Sequence, residues 1–292
     1  MVEVYTSVAN LKQSPPIFMV LGTFDGVHVG HQDIIRKTVE KATAAHALSA
    51  VFTFSDHPLS VIAPHRCPSL LITSEEKIQY LRLLGVDLIF NIPFTRKLLK
   101  QTPDEFIRLL TSNLNLRNVV VGSNFTYGFR GGGNPADLKE AGEKYNFSVD
   151  ICQLVDRVGI HVSSTRIRQL IAGGYVDQAA NLLNRPFAVS GKMQKNKFNG
   201  RKLGFLRTGV AIPDEFIIPA DGMYVVNVKQ GEHNYRGWAD VGDSVPFNRR
   251  HRRIDLLLAC LENELHYQDV KVEFINRLRS NSVLYLERKA NV

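Results

Sequence analysis

Cysteine is scarce in this chain of 292 residues: Cys67, Cys152 and Cys260 lie far apart, and no CxxC pair occurs. That excludes a disulfide framework and speaks against a structural zinc cluster. No run of about 18 apolar residues is present, so no membrane-spanning helix is expected. The opening residues, MVEVYTSVANLKQSPP, carry no basic stretch followed by an apolar core, the pattern of a secretory leader. The expectation is a reduced, cytoplasmic protein with no membrane partner. Glycine (21) and proline (12) are too few for a collagen-like or linker-dominated chain. Internal repeats and low-complexity segments are also missing.

What remains is ordinary globular material, with 44% hydrophobic and 22% charged residues. The length exceeds a typical domain of roughly 100–200 residues, so two domains are expected. Basic residues outnumber acidic ones by 36 to 28, a formal net charge of +8. Such an excess suits anionic ligands, from nucleotides to nucleic acid, without choosing among them. The densest basic cluster is Arg249-Arg250-His251-Arg252-Arg253. No aromatic residues are interleaved with it for base stacking, so it reads as a solvated loop rather than a nucleic-acid contact.

Over the first 185 residues, short apolar runs alternate with helical patterns. The runs are Ile17–Gly22, Ser49–Phe54, Asp87–Ile92, Asn118–Gly122 and Ser148–Leu154. This rhythm predicts a parallel sheet covered on both faces, a doubly wound α/β domain. Helix starts are marked at Thr73-Ser74-Glu75-Glu76, a capping-box pattern, and at Thr102-Pro103-Asp104-Glu105, with a cap and a first-turn proline. After Arg185-Pro186 the pattern changes. Phe187–Lys192, Met223–Lys229, Tyr235–Val241, Ile254–Leu258 and Val270–Phe274 read as strands without long helices between them. The expected division is therefore residues 1–185 and a mostly β domain at 186–292, with a final helix beginning near Glu273 or Asn281.

The strongest chemical signal is Gly22-Thr23-Phe24-Asp25-Gly26-Val27-His28-Val29-Gly30-His31. It follows the first strand and precedes a helical pattern with Ile34, Ile35, Thr38 and Val39. A strand–helix junction turns unpaired backbone N–H groups and the positive end of the helix dipole toward an anion. Gly22, Gly26 and Gly30 allow close backbone approach. His28 and His31, three residues apart, share one face of the first turn. A plainer reading makes both histidines caps or core residues.

HVGH resembles the HxGH motif of the nucleotidyltransferase superfamily, and the longer string GTFDGVHVGHQ resembles the FMN adenylyltransferase module of the prokaryotic bifunctional riboflavin kinase/FAD synthetase family. Three further segments match that module in order. Thr53-Phe54-Ser55-Asp56-His57-Pro58 resembles TF-x-x-HP. Val121-Gly122-Ser123-Asn124-Phe125-Thr126-Tyr127-Gly128 resembles G-x-[DN]-F-x-[FY]-G. Ser163-Ser164-Thr165-Arg166-Ile167-Arg168 resembles SST-x-IR.

The resemblance implies a Rossmann-like nucleotidyltransferase domain followed by a small β-barrel. It implies ATP and FMN as substrates, with Mg2+ accompanying ATP, and names no metal ligand. Catalysis falls to His28, His31 and Arg168. Nucleotide binding falls to Gly22, Thr23, Phe24, Asp25, Gly30, Ser163, Ser164 and Thr165. His57, Asn124, Phe125 and Tyr127 fall near the flavin. The FMN phosphate is already ionised near pH 7, so positioning and charge neutralisation suffice and no strong base is needed. An arginine such as Arg168 can grip phosphate oxygens in bidentate fashion. Ser163–Arg168 also reads simply as a capped amphipathic helix, and the Asn124 loop as a turn with an anchored aromatic. Arg130-Gly131-Gly132-Gly133 is either a lid or a flexible connection. Self-association is left open.

Residues 186–292 resemble the riboflavin kinase module, through Gly191, Gly200-Arg201-Lys202-Leu203-Gly204-Phe205 and Asp221-Gly222-Met223-Tyr224. They then depart from it. Where the family continues GF-P-T-A-N, this chain reads Gly204-Phe205-Leu206-Arg207-Thr208-Gly209. The residues that hold Mg-ATP would fall at Arg207 and Gly209, and the family's catalytic glutamate at Asp255, one methylene shorter. The NIG-x-RPT segment is eroded to Asp240–Pro246. The expectation is a degenerate kinase site, with the fully bifunctional enzyme and a flavin-binding regulatory protein as the alternatives.

Overall fold

The computed structural model describes residues 2–8, 11–153, 156–157, 160–194, 206–242, 253–259 and 269–278. The Gly200–Phe205 segment, the Asp243–Pro246 segment, most of the Arg249–Arg253 cluster, Cys260 and a helix starting at Asn281 lie outside the described residues. Contacts divide the chain into one unit of Met1–Pro68 with Thr73–Val162, and a second of Ser163–Val292 with Ser69–Ile72.

The first unit is a six-stranded sheet in which all pairs are parallel. Its strands are β1 (Glu3–Tyr5), β2 (Ile17–Leu21), β3 (Leu48–Phe54), β4 (Leu88–Ile92), β5 (Leu116–Gly122) and β6 (Ser148–Cys152), in the order β1-β4-β3-β2-β5-β6. The central strands are apolar on both faces: Met19, Val20, Val51, Ile89, Phe90, Val119 and Val121 are buried. That double burial explains their continuous apolar runs. The covering helices include α1 (Val29–Ala44), α3 (Ser74–Leu83), α5 (Pro103–Asn113) and α6 (Pro135–Tyr145), with shorter turns α2 (Pro58–Ile62) and α4 (Arg96–Leu99). Thr73 with Glu76, and Thr102 with Glu105, form the capping boxes that the sequence announces. Strand order reverses at β2: β3 and β4 lie to one side, β5 and β6 to the other. Ligands of open α/β sheets bind outside the carboxyl ends of the strands at such a reversal.

A two-stranded ribbon, β7 (Asp156–Arg157) and β8 (Ile160–His161), precedes the second unit. The second unit opens with α7 (Ser164–Ala172) and α8 (Val176–Leu183). A closed antiparallel barrel follows: β9 (Phe187–Gln194), β10 (Leu206–Ala211), β11 (Gly222–Gln230), β12 (His233–Val241), β13 (Arg253–Leu258) and β14 (Asp269–Arg277), in the order β10-β13-β12-β11-β14-β9. Its interior is filled by residues such as Val189, Tyr224, Val226, Ala239, Leu256 and Phe274. The helix expected from Glu273 is not there. Glu273 lies within β14, opposite Ala188 of β9 and Asn227 of β11. Burial alternates along β14 with period two, the mark of a strand, which the charged residues among VKVEF obscure.

Candidate active site

The loop joining β2 to α1 is strained and locked. Phe24, Gly26 and Val27 all have positive φ, at 51°, 81° and 39°. For a β-branched residue such as Val27 this is a true outlier, held only because the surroundings enforce it. Phe24 and Val27 are buried, and the Gln32 side chain donates to the Val27 carbonyl at 2.9 Å. At Gly22 an added Cβ would meet the Phe24 ring at 2.8 Å, so that glycine makes room for the folded-back aromatic.

His28 caps α1. Its Nδ1 accepts from the His31 backbone N–H at 3.3 Å. With Nδ1 accepting, the ring proton sits on Nε2. The two imidazoles stack with centroids 3.5 Å apart, and the His31 ring meets the edge of Phe24 at 5.1 Å. Burial, the neighbouring His28 and the charge of Lys77 together hold His31 well below the usual imidazole pKa. His31 is therefore neutral at physiological pH. Its Nδ1 is buried and has no partner. A buried polar atom left unsatisfied by the protein is a place where a ligand or water completes the network.

Lys77, on α3, is the functional candidate that sequence reading missed. It is buried, and its ammonium donates to the Phe54 carbonyl and, at 3.4 Å, to the Thr23 carbonyl. Thr53 Oγ1 donates to the same Thr23 oxygen at 3.0 Å. Burial pulls Lys77 down to about 8, opposed by Asp25 and Asp56. The one available clue was its place four residues before the buried Leu81, on the inward stripe of the helix.

The other sequence candidates divide. His57 caps α2, its Nδ1 accepting from the Leu59 N–H at 3.2 Å. Asn124 is exposed just beyond β5, whereas Tyr127 is anchored in the core and stacks on Phe125 at 5.8 Å. Burial, with Asp137 and Asp104, pushes the Tyr127 phenol up to about 12. Arg130-Gly131-Gly132-Gly133 forms a turn closed by a Tyr127–Gly133 bridge. In the second unit, Ser163 caps α7, accepting from the Arg166 N–H at 3.2 Å, and Ile167, Leu170 and Ile171 are its buried face. Ser164 and Thr165 fill the first turn. Arg168 Nε donates to the Ser69 carbonyl at 2.6 Å, so that edge of the guanidinium is committed to backbone.

On the barrel's outer face Gly209 lies opposite Asp255 in the strand register, and Arg207 reaches Asp255 at 3.7 Å. Asp255 is buried and Arg207 exposed. Among the described residues no group of three or more His, Cys, Asp or Glu is arranged to hold a metal ion. No helix there is long and apolar enough to cross a membrane.

Comparison with known proteins agrees with this layout. Residues 11–166 match the family model for FAD synthetase, and residues 183–284 the model for riboflavin kinase. The bifunctional riboflavin kinase/FMN adenylyltransferase of Bacillus subtilis is 30% identical over 94% of this chain and 85% of its own length. The Escherichia coli protein of the same name is 29% identical over 94% of this chain and 88% of its own. A solved structure from Streptococcus pneumoniae, described as a macrolide-efflux protein, superposes with a TM-score of 0.82 at 26% identity, covering 100% of this chain and 97% of that one.

Proposed function

The chain belongs to the FAD synthetase family, and from that premise we propose that it transfers AMP from ATP to FMN, giving FAD and pyrophosphate. The observation that carries this reading is the α1 start. There a neutral His31 with a buried Nδ1 and a capping His28 stand at the helix N-terminus beside the sheet's reversal point. A phosphate oxygen of FMN attacks the α-phosphorus, and pyrophosphate leaves. Charge grows on the phosphate oxygens during the step, and imidazole N–H groups with the helix dipole neutralise it. Ser163, Ser164, Thr165 and Arg168 supply a second capped helix start for the nucleotide. Asn124, Phe125 and Tyr127 border the flavin. His57 supports that border as a cap.

Magnesium fits this arrangement as an ion carried by the triphosphate, which the cation usually grips through phosphate and water oxygens. Asp25 and Asp56 already face the charge of Lys77, and no protein cage for a metal is formed among the described residues. When bound, the ion withdraws charge from the departing pyrophosphate. A cytoplasmic location follows from the ATP and FMN the reaction consumes.

For the barrel we propose that riboflavin phosphorylation is lost or weak. Arg207 and Gly209 stand where the family holds Mg-ATP, and an arginine ion-paired to Asp255 cannot ligate a cation. The match to the riboflavin kinase model and the names of the relatives favour the second reading, a fully bifunctional enzyme. One experiment separates the possibilities. The protein is incubated with Mg-ATP and either FMN or riboflavin, and the flavins are separated by chromatography. FAD from FMN alone supports the first reading. FAD from riboflavin supports the second. Flavin binding without either product sinks both and leaves a binding protein.

A further inference from the structure

We propose that Lys77 is a further positioning residue of the adenylyl-transfer site: a buried ammonium that ties the ends of β2 and β3 together beneath the histidine pair and supplies positive charge toward which the triphosphate is drawn. The inference rests on the adenylyl-transfer reading above.

The geometry is specific. Lys77 Nζ joins two carbonyls, Thr23 in the loop that leads into α1 and Phe54 at the end of β3. Both carbonyls lie at the carboxyl edge of the sheet, where ligands of this architecture bind. An ammonium has three donors, and the third finds no acceptor among the described residues. Lysine is rarely buried unless its charge has work to do or a partner to meet. Here Asp25 and Asp56 favour its charged form against the pull of burial. The charge is felt at His31, whose basicity it lowers. One residue thus fixes the Thr23 carbonyl, adds to the lowering of His31 basicity that burial and His28 begin, and raises the local potential for phosphate. A unit charge acting over several ångströms at an effective dielectric of about 20 changes anion affinity on the order of 10²-fold.

The groups facing Lys77 are Asp25 from the β2–α1 loop, Asp56 from the segment after β3, and His31 from α1 with His28 stacked on it. Glu76, its neighbour on α3, is spent on the Thr73 N–H. With Lys77 near 8, ATP affinity should fall several-fold between about pH 7.5 and 9. ATP itself is fully ionised throughout that window, its last phosphate proton leaving near pH 6–7.

The test compares the full-length wild type with Lys77→Met and Lys77→Arg. Three quantities are read: ATP dissociation constant without FMN, the His31 titration by NMR, and single-turnover FAD formation. Lys77→Met should weaken ATP about 30- to 100-fold and move the His31 titration upward. Lys77→Arg should keep at least a tenth of wild-type affinity and abolish the fall above pH 8, because arginine does not titrate there. Unchanged ATP affinity and an unmoved His31 titration in Lys77→Met overturn the proposal. If Lys77→Met does not fold, the wild type and Lys77→Arg decide: a flat wild-type affinity between pH 7.5 and 9 overturns it. A wild type that binds ATP but makes no FAD refutes the reaction assigned above, and the binding and NMR arms still judge Lys77.

Discussion

Replacing His31 by alanine separates a catalytic donor from a packing residue, because the two roles predict different sizes of effect. On stability the terms nearly cancel. The variant loses the stack on His28 and the edge contact with Phe24, each worth about 0.5–1.5 kcal/mol. It also removes a buried Nδ1 without a partner, a relief of about 1–3 kcal/mol. The net change should lie within about 1 kcal/mol, and the melting temperature should move by no more than about 2–4 °C. On the reaction there is no such cancellation. One lost donor to a growing phosphate charge costs about 2.7–4 kcal/mol, a rate loss on the order of 10²–10³. His31→Ala should therefore fold, bind ATP within a few-fold of normal and form FAD very slowly in a single turnover. His31→Gln keeps a neutral donor and should recover part of the rate. The pH dependence of stability gives an independent check. His31 binds its proton less readily in the folded chain than in the unfolded one. Its contribution is therefore fully present above the unfolded value of 6.5 and is lost as pH falls below it. That acid-side slope should shrink in His31→Gln. A normal single-turnover rate in folded His31→Ala would remove the histidine from the mechanism.

If the barrel has lost kinase chemistry as proposed, regaining it should need Leu206→Pro, Arg207→Thr, Thr208→Ala, Gly209→Asn and Asp255→Glu together, since groups that act as one unit are not additive; robust riboflavin phosphorylation by the unaltered protein refutes the proposed loss. Gly128→Ala should lower stability by at least about 1–3 kcal/mol, measured by denaturant unfolding. Gly128 has φ +74°, and a Cβ there would meet the Pro103 nitrogen at 2.6 Å, so an unchanged midpoint would show that the turn relaxes freely. A chain ending after Pro186 should form FAD at least tenfold more slowly than the full chain, even where circular dichroism shows the sheet intact; equal rates would show that residues 1–186 are self-sufficient.

Much of this was legible in the sequence because local and global signals agree. The β2–α1 junction combines glycine placement, an apolar strand and a helical stripe, and the two capping boxes carry their own chemistry. Strands β3, β4 and β5 are buried on both faces along most of their length and announce themselves by the apolar runs AVF, LIF and VVV. What failed to show is equally physical. β1 is a three-residue edge strand with too little pattern to read. β10, LRTGVA, carries an arginine and a glycine, and takes its conformation from hydrogen bonds to β9 and β13 rather than from propensity. Lys77 was invisible because a lysine in a helix normally marks the solvated face, and only tertiary placement reveals it as buried.

The division between the two halves is where the sequence pattern and the contacts part most instructively. Composition changes at Arg185-Pro186, just before β9 begins at Phe187. Contacts instead place α7 and α8 with the barrel. The reason is visible in the packing. α8 buries Val176, Ala179, Leu182 and Leu183, and rests on β14 and β9. α7 is held at its middle and its C-terminal end: Arg168 donates to Ser69, whose segment pairs with residues 215–217, and the Ala220 N–H donates to the Ile171 carbonyl at 3.3 Å. Arg277 donates to the Asp221 carbonyl at 2.6 Å and would meet any side chain at Gly174. The helix that carries Ser163-Ser164-Thr165-Arg166-Ile167-Arg168 is thus built onto the barrel. If those residues serve the nucleotide as proposed, a barrel without kinase chemistry still has a task, which is to fix the second capped helix start. The tenfold loss expected of the chain cut after Pro186 measures that dependence directly, because the cut keeps every residue assigned to adenylyl transfer and removes the barrel surface that holds α7 and α8.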